Sequence, residues 1–481
     1  MKKIKTLVLI LATLVLTGCF DDRDDLTSPE GLQSNLNNFV WKAMNTTYLY
    51  KSEIPNLADN RFGSNEEYND YLSSFDAPES LFESLIYQRE AVDRFSRIYP
   101  DYIALEQLLS GTFKTNGMEF SLFAAPNSDT DLVAVVRLVL KGSDADNKGV
   151  KRGDLFSQIN GTIITRTNTN NLFNQDNYTI NLGDYNDNGT TETSDDSITL
   201  NGTNISLEKS QFTENPIYIN EVFQVGGESV GYLMYNGFTS GSENELNTVF
   251  GNFKSSNVQH LILDLRYNPG GSVRTTTFLA SMITGQFNGQ VFERLVYNNN
   301  LQDLNFDYLF SDRIGGNTIN SLGLNKLYVL TTSRTASASE GIINSLRPYI
   351  DVIQVGTETT GKTQASTILY DSPDFSREGV TPAHTYALRP LIANGVNKNN
   401  EAVPGTGIPP SIGFDYTERS LNLGVLGDIN EPLLALAITD IENSLSKRSQ
   451  IKSKPALLKA AHMDEHEFSL FEEGPGGMIA D

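Results

Sequence analysis

Residues 326–367 read KLYVLTTSRTASASEGIINSLRPYIDVIQVGTETTGKTQAST. Lys326 to Thr331 is a short run rich in Leu and Val, which suits a buried strand. A turn of small residues follows, Thr335-Ala336-Ser337-Ala338-Ser339, with Glu340 behind it. From Gly341 onward, Ile342, Ile343, Leu346 and Ile350 recur at helical spacing, and Pro348 marks the frayed end. Asp351 to Gly356 is a second apolar run, and Gly361-Lys362 sits in the turn after it. Strand, tight turn, helix and strand in this order predict an α/β layer. A serine on such a turn lies at the positive end of the helix, where backbone N–H groups can stabilise a developing oxyanion. Its hydroxyl is a weak nucleophile that needs a base within hydrogen-bond reach. The four histidines, His260, His384, His462 and His466, sit in no local catalytic pattern, which makes Lys362 the better base.

The run TASASEG…TTGK resembles the active-site segment of the carboxyl-terminal (tail-specific) processing proteases, which use a serine–lysine dyad. The resemblance implies Ser337 as nucleophile and Lys362, 25 residues on, as general base. A second similar stretch is VGYLMYNGF…LILDLRYNPGG, whose final glycines bring backbone N–H groups close to a substrate carbonyl. It implies an oxyanion hole made by Gly270 or Gly271 together with the N–H of Ala338. Gly405-Thr406-Gly407-Ile408-Pro409-Pro410 resembles a structural turn of the same family. Many members carry a lysine-orienting glutamine four residues after the base. Here Ser366 stands there and Gln364 two residues earlier, and in a strand both share a face with Lys362.

The 481 residues are enough for roughly three domains. A composition of 39% hydrophobic residues supports sizeable cores. A net charge of −23 with no basic run beyond Lys2, Lys3 and Lys5 argues against nucleic acid as a partner. One cysteine excludes an intrachain disulfide framework and a multi-cysteine zinc site. Residues 1–19 combine that basic start with an apolar run, Leu7 to Leu16, which is short for a bilayer span. Leu16-Thr17-Gly18-Cys19 resembles a bacterial lipobox, which predicts a signal peptide, acylation of Cys19 and an acidic tether over 20–30. The expected location is the bacterial cell envelope, lipid-anchored, facing the periplasm or the cell surface, with the outer membrane as the expected membrane.

Residues 31–111 carry a helical signature, with Leu32, Leu36, Val40, Met44 and Tyr48 at four-residue steps. Within it, Asp93-Arg94-Phe95-Ser96-Arg97-Ile98 reads as a capped turn and resembles a segment that precedes the PDZ domain in the family. Residues 112–212 read as β-rich. Gly149 to Asp154 and Ile159-Asn160-Gly161 resemble the core of PDZ domains, which capture peptides by strand addition. The ligand loop then falls at Gly117, Met118, Glu119 and Phe120, and Glu119 stands where the family often has glycine. Asp184, Asn186, Asn188 and Asp195 have the spacing of a calcium loop. An Asn-rich hairpin turn explains the same residues without a metal.

Residues 213–446 alternate strands and helices, and 447–481 form a polar tail. The expectation is a multi-domain α/β protein: a protease core with an inserted PDZ domain and a helical amino-terminal cap. Its expected activity is that of a serine endopeptidase that needs no cofactor and acts on proteins or peptides. The rival reading is a catalytically silent peptide-binding or scaffold lipoprotein of the same fold.

Overall fold

The structure, a computed structural model, describes residues 29–190, 193–446 and 478–479. The stretch read as a signal peptide, Cys19 and nearly all of the tail lie outside the described residues.

The amino-terminal part holds α1 (Pro29–Thr47), α2 (Asn65–Ser73) and α3 (Pro78–Ser84). Ser64 starts α2 by accepting the Glu67 N–H at 3.1 Å, and a proline at its first position starts α3. Phe39, Val40 and Met44 of α1, with Tyr48 just after it, bury against Leu72, Leu81 and Phe82. Strand β1 (Arg97–Tyr99) and α4 (Tyr102–Leu109) lead onward.

The inserted β domain opens with β2 (Thr112–Thr115) and continues through β3 (Met118–Ala124), β4 (Leu132–Val139), α5 (Asp144–Asn147), β5 (Leu155–Ile159), β6 (Thr162–Ile163), α6 (Thr169–Phe173), β7 (Asn177–Asn186), β8 (Ser197–Glu208) and β9 (Ser210–Thr213). Strands β2 and β9 pair antiparallel as a stem at its two ends. Its sheet runs β3-β4-β5-β7-β8, with β6 beside β5, around a core that includes Phe120, Phe156 and Phe173.

The α/β core follows with β10 (Ile217–Val225), β11 (Glu228–Tyr235), α7 (Glu243–Ser255), β12 (Val258–Asp264), α8 (Val273–Thr284), β13 (Val291–Tyr297), β14 (Phe306–Leu309), β15 (Arg313–Ile314), β16 (Asn317–Thr318), β17 (Lys326–Thr331), α9 (Ala338–Leu346), β18 (Asp351–Gly356), β19 (Gln364–Ser366), β20 (Leu369–Tyr370), β21 (Ala387–Arg389), β22 (Leu391–Val396), α10 (Pro432–Ser446) and β23 (Met478–Ile479). The main sheet is ordered β10-β11-β12-β17-β18, parallel except for β10. Helices α7, α8 and α9 cover one face. The other face is covered by α10 and by Leu138 and Leu140 of the insert. Burial on both faces explains why β12, β17 and β18 read as apolar runs rather than alternations. A second sheet, β14-β13-β22-β19-β23, stands beside the first. Strand β21 joins β1 to the core, with Arg97 opposite Arg389.

Candidate active site

Strand β17 ends in the small-residue turn, and Ser337 forms the cap of α9. Its backbone takes φ +59° and ψ −115°, a conformation that costs a non-glycine residue on the order of 1–3 kcal/mol. Such strain persists only where neighbours impose it. The Ala336 N–H donates to the Asn268 carbonyl at 3.1 Å, and the Ser339 hydroxyl to the same oxygen at 3.0 Å. Thr335 Oγ1 donates to the Leu265 carbonyl at 2.8 Å. The serine turn is therefore stitched to the glycine turn that follows β12. A Cβ at Gly270 would lie 2.8 Å from that of Ser337, so a side chain there has no room. Ser337 is fully buried, and among the described residues its Oγ has no hydrogen-bond partner.

Gly270 donates its N–H to Asn268 Oδ1 at 2.9 Å. That commits one of the two expected glycine donors to holding the turn. Gly271 and Ala338 keep N–H groups with no acceptor among the described residues. Gly271 is held by Phe238, whose carbonyl accepts the Ser272 N–H at 2.8 Å.

Lys362 lies in the loop between β18 and β19. The buried carboxylate of Glu340, one turn into α9, ties this loop to the serine. Glu340 Oε2 accepts the N–H of Ser337 at 2.7 Å and that of Lys362 at 2.9 Å. Oε1 accepts the Gly361 N–H at 2.7 Å and the Thr359 hydroxyl at 2.5 Å. Burial raises the Glu340 carboxyl above its ordinary value, against these hydrogen bonds. Lys362 is 3% exposed, and its Nζ lies 5.0 Å from the centre of the Phe95 ring. Burial, and then repulsion from Arg389, push its amine well below the usual lysine range; Arg97 adds to this, while Asp93 and Glu340 oppose it. Ser337 Oγ makes no hydrogen bond to Lys362, so the pair is not closed in this structure. Such bonds often tighten only when substrate binds.

The remaining sequence expectations are met unevenly. Gln364 Nε2 donates to the Tyr50 hydroxyl at 3.0 Å, and its Oε1 has no partner among the described residues, so it does not bond to Lys362. Ser366 is buried in the same short strand. His384 pairs with Asp371 at 3.0 Å and His260 with Glu228 at 2.7 Å. In the insert, Gly117 donates its N–H to Thr115 Oγ1 at 2.9 Å and Met118 to Asn116 Oδ1 at 3.0 Å. Glu119 pairs with Arg137 at 3.2 Å, while Phe120 stacks on Phe173 with ring centres 4.5 Å apart. The residues of the calcium-loop pattern bond within their own hairpin: Asp184 accepts from Asn201, Asn186 from the Asn188 N–H, and Asp195 from Thr190. Among the described residues no group of three or more His, Cys, Asp or Glu could hold a metal ion.

Glu340, Phe95, Arg389 and Tyr50 are parts of the site that sequence reasoning missed. Glu340 had a local signal, the Ser-x-x-Glu spacing of a capping box from Ser337, and Phe95 lay in the 93–98 segment that was read as a capped turn. A cleft of about 400 Å³ opens beside Lys362 and runs to the insert, between Phe95, Pro269 and Ala336 on one side and Met118 and Glu119 on the other.

Residues 229–412 match the model of peptidase family S41, and residues 35–97 match the model of the peptidase S41 N-terminal domain. The chain belongs to peptidase family S41. The S41 match takes in Ser337, Lys362 and the glycine turn, and the N-terminal match takes in Phe95 and Tyr50. The chain is 26% identical over 287 residues to a carboxyl-terminal-processing protease of Picosynechococcus, covering 59% of this chain and 62% of that protein. It is 22% identical over 305 residues to a protein described as a CtpA-like serine protease of Staphylococcus epidermidis, covering 63% and 56%. These matches span less than two thirds of the relatives' lengths. A solved structure assigned to the S41 proteases, from Bacteroides fragilis, superposes with a TM-score of 0.67 at 24% identity, covering 84% of this chain and 97% of that one. The photosystem II D1 C-terminal processing protease gives a TM-score of 0.50 at 18% identity, covering 87% and 99%. Both likenesses show the mixed α/β fold.

Proposed function

We propose that this S41 chain is a serine endopeptidase of the cell envelope that hydrolyses peptide bonds through Ser337 and Lys362. The observation that carries this reading is the Glu340 carboxylate, which accepts the backbone N–H of both Ser337 and Lys362 and so joins the two turns. An ordinary lysine with pKa about 10.4 is neutral less than a thousandth of the time at pH 7. Burial and Arg389 relieve that penalty here.

In the reaction, neutral Lys362 takes the Ser337 proton as Oγ attacks the substrate carbonyl. The N–H groups of Gly271 and Ala338 hold the oxyanion. The lysine ammonium then protonates the leaving amine, and the acyl-enzyme is released by a water that Lys362 activates in turn. The insert acts as a PDZ domain that recruits substrate into the cleft beside Lys362, and Cys19 carries the lipid that holds the enzyme at the membrane.

The test is turnover of an unfolded protein substrate by Ser337→Ala and Lys362→Met. Both should fall to background with unchanged circular dichroism. Near-normal turnover by either folded variant would refute the dyad.

A further inference from the structure

The wall of the lysine pocket that faces the cleft comes from the amino-terminal part of the chain. It is the turn of residues 93–96, and it is firmly held. The buried Asp93 carboxylate accepts the Tyr48 hydroxyl at 2.7 Å, the Ser96 hydroxyl at 2.6 Å, the Ser96 N–H at 2.8 Å and the Phe95 N–H at 3.1 Å. Ser96 Oγ in turn accepts the Leu391 N–H of β22 at 2.9 Å. Arg94 reaches the lysine loop: its Nη2 donates to the Thr360 carbonyl at 3.0 Å and to that of Gly405 at 3.3 Å. Its guanidinium carbon lies 4.7 Å from the centre of the Phe95 ring. Phe95 is half-buried and lines the same cleft as Lys362, so its ring stands beside Nζ where the cleft's water would otherwise reach the amine.

We propose that Phe95 is a positioning residue for Lys362: its ring, fixed by Asp93 and Arg94, keeps water off Nζ, so the helical amino-terminal domain completes the pocket of the base. The proposal rests on the reading of Lys362 as general base. Two effects of the ring compete. Its negative face attracts an ammonium, which raises a lysine by a fraction of a pH unit up to about 1.5 units when desolvated. Exclusion of water lowers it by up to about 3–5 units in a fully buried site. The near-complete burial of Lys362 makes exclusion the larger effect.

The other charges around the amine come from several elements. Arg389 of β21 and Arg97 of β1 favour the neutral form, while Asp93 of the turn and Glu340 of α9 favour the cation. Across the cleft stand Lys114, Glu119, Arg137 and Lys209 of the insert, Glu214 just after it, and Arg334 beside the serine turn. Substitution at Phe95 leaves all of these in place and changes the water.

The experiment measures the titration of Lys362 itself, by the pH dependence of its labelling with acetic anhydride, read by mass spectrometry in the Ser337→Ala protein. Phe95→Ala should move the midpoint up by about one unit or more. Phe95→Leu should not move the midpoint up, and should lower it by up to about 1.5 units, because an apolar side chain still excludes water while the ring's attraction for the ammonium is lost. Phe95→Gln keeps much of the bulk while admitting water, and should shift upward like alanine. The same upward move should appear in the pH–rate profile of Phe95→Ala in the otherwise native enzyme with a short activated ester, with activity recovering at high pH. A midpoint that is unchanged or lowered in both Phe95→Ala and Phe95→Gln overturns the proposal, even if activity falls. The labelling result stands apart from the dyad: should Ser337→Ala prove fully active, the mechanism fails while the midpoint still judges Phe95.

Discussion

Two of the cationic side chains buried in this molecule, Arg266 and Lys362, have their pKa values pushed in opposite directions. Arg266, at the end of β12, is fully buried among carboxylates. Its Nε donates to both Asp264 oxygens at 3.0 and 2.9 Å, Nη1 to Glu418 at 2.9 Å and Glu431 at 2.8 Å, and Nη2 to Glu431 at 3.0 Å. Burial opposes its charge, but the three acids outweigh that and push its pKa further up. Lys362 is buried almost as completely, yet its largest electrostatic neighbour is another cation, Arg389, and it is pushed down. Burial disfavours the charged form of both groups; three carboxylates overcome it at Arg266, whereas at Lys362 burial remains the largest effect and Arg389 adds to it. One cluster anchors: Arg152 of the insert joins it through Glu418 at 2.6 Å and the Tyr267 hydroxyl at 2.6 Å, fastening the insert to the core. The other pushes the pKa of the Lys362 amine down.

The contrast can be broken most sharply at Lys362. Lys362→Arg installs a permanent cation in a pocket that disfavours the charged form of the lysine. Turnover should fall by about a thousandfold or more, as expected when an essential general base is lost. Steady-state kinetics on a short ester would check it, and a fall of less than tenfold would mean that the pocket does not need a neutral base.

Arg266→Met removes the positive partner of three buried acids. Loss of one side of such a network destabilises by about 3–5 kcal/mol, readable as a lower urea midpoint. A loss below about 1 kcal/mol would show that the cluster is wetter than its burial indicates.

Lys362→Met should move stability the other way at pH 7. The folded-state pKa is depressed, so below about 10.4 the unfolded chain binds a proton that the folded chain must shed. The cost is absent above that pH and grows as pH falls toward the folded value. Each unit of depression costs about 1.4 kcal/mol, so the methionine variant should be more stable near neutrality, with the gap closing as pH rises toward about 10.4. Melting curves at pH 7 and pH 10 would show it, and an equal or larger gap at pH 10 would contradict a depressed lysine. In turnover, activity should rise with pH through an ionisation below about 10.4. The smallest effect is expected at the histidines. His260→Gln and His384→Gln break only the pairs with Glu228 and Asp371 and should leave kcat/KM within about twofold, well inside the ~10²-fold loss of a catalytic acid or base. A folded but inactive variant would transfer the base role to that histidine.

What the sequence determined by itself was local. Ser337 at a strand-to-helix turn, Gly270-Gly271 after an apolar strand and Gly361-Lys362 after another are short-range patterns. Their small residues and glycines encode backbone shape directly, and the S41 match falls on them. Glu340 belonged to this legible part through its three-residue spacing from Ser337, yet its second contact, to the lysine loop, lies 22 residues further on. What only the tertiary structure decided was the electrostatics. Arg94 reaches a carbonyl 266 residues away, Gln364 a hydroxyl 314 residues away, and Arg389 meets Arg97 across paired strands. Which of Gly270 and Gly271 keeps an uncommitted N–H fell to one hydrogen bond, donated by the Gly270 N–H to Asn268 Oδ1, which no pattern of residue types announces. Charge state depends on distances and on the exclusion of water, and these arise when elements from both ends of the chain pack into one pocket.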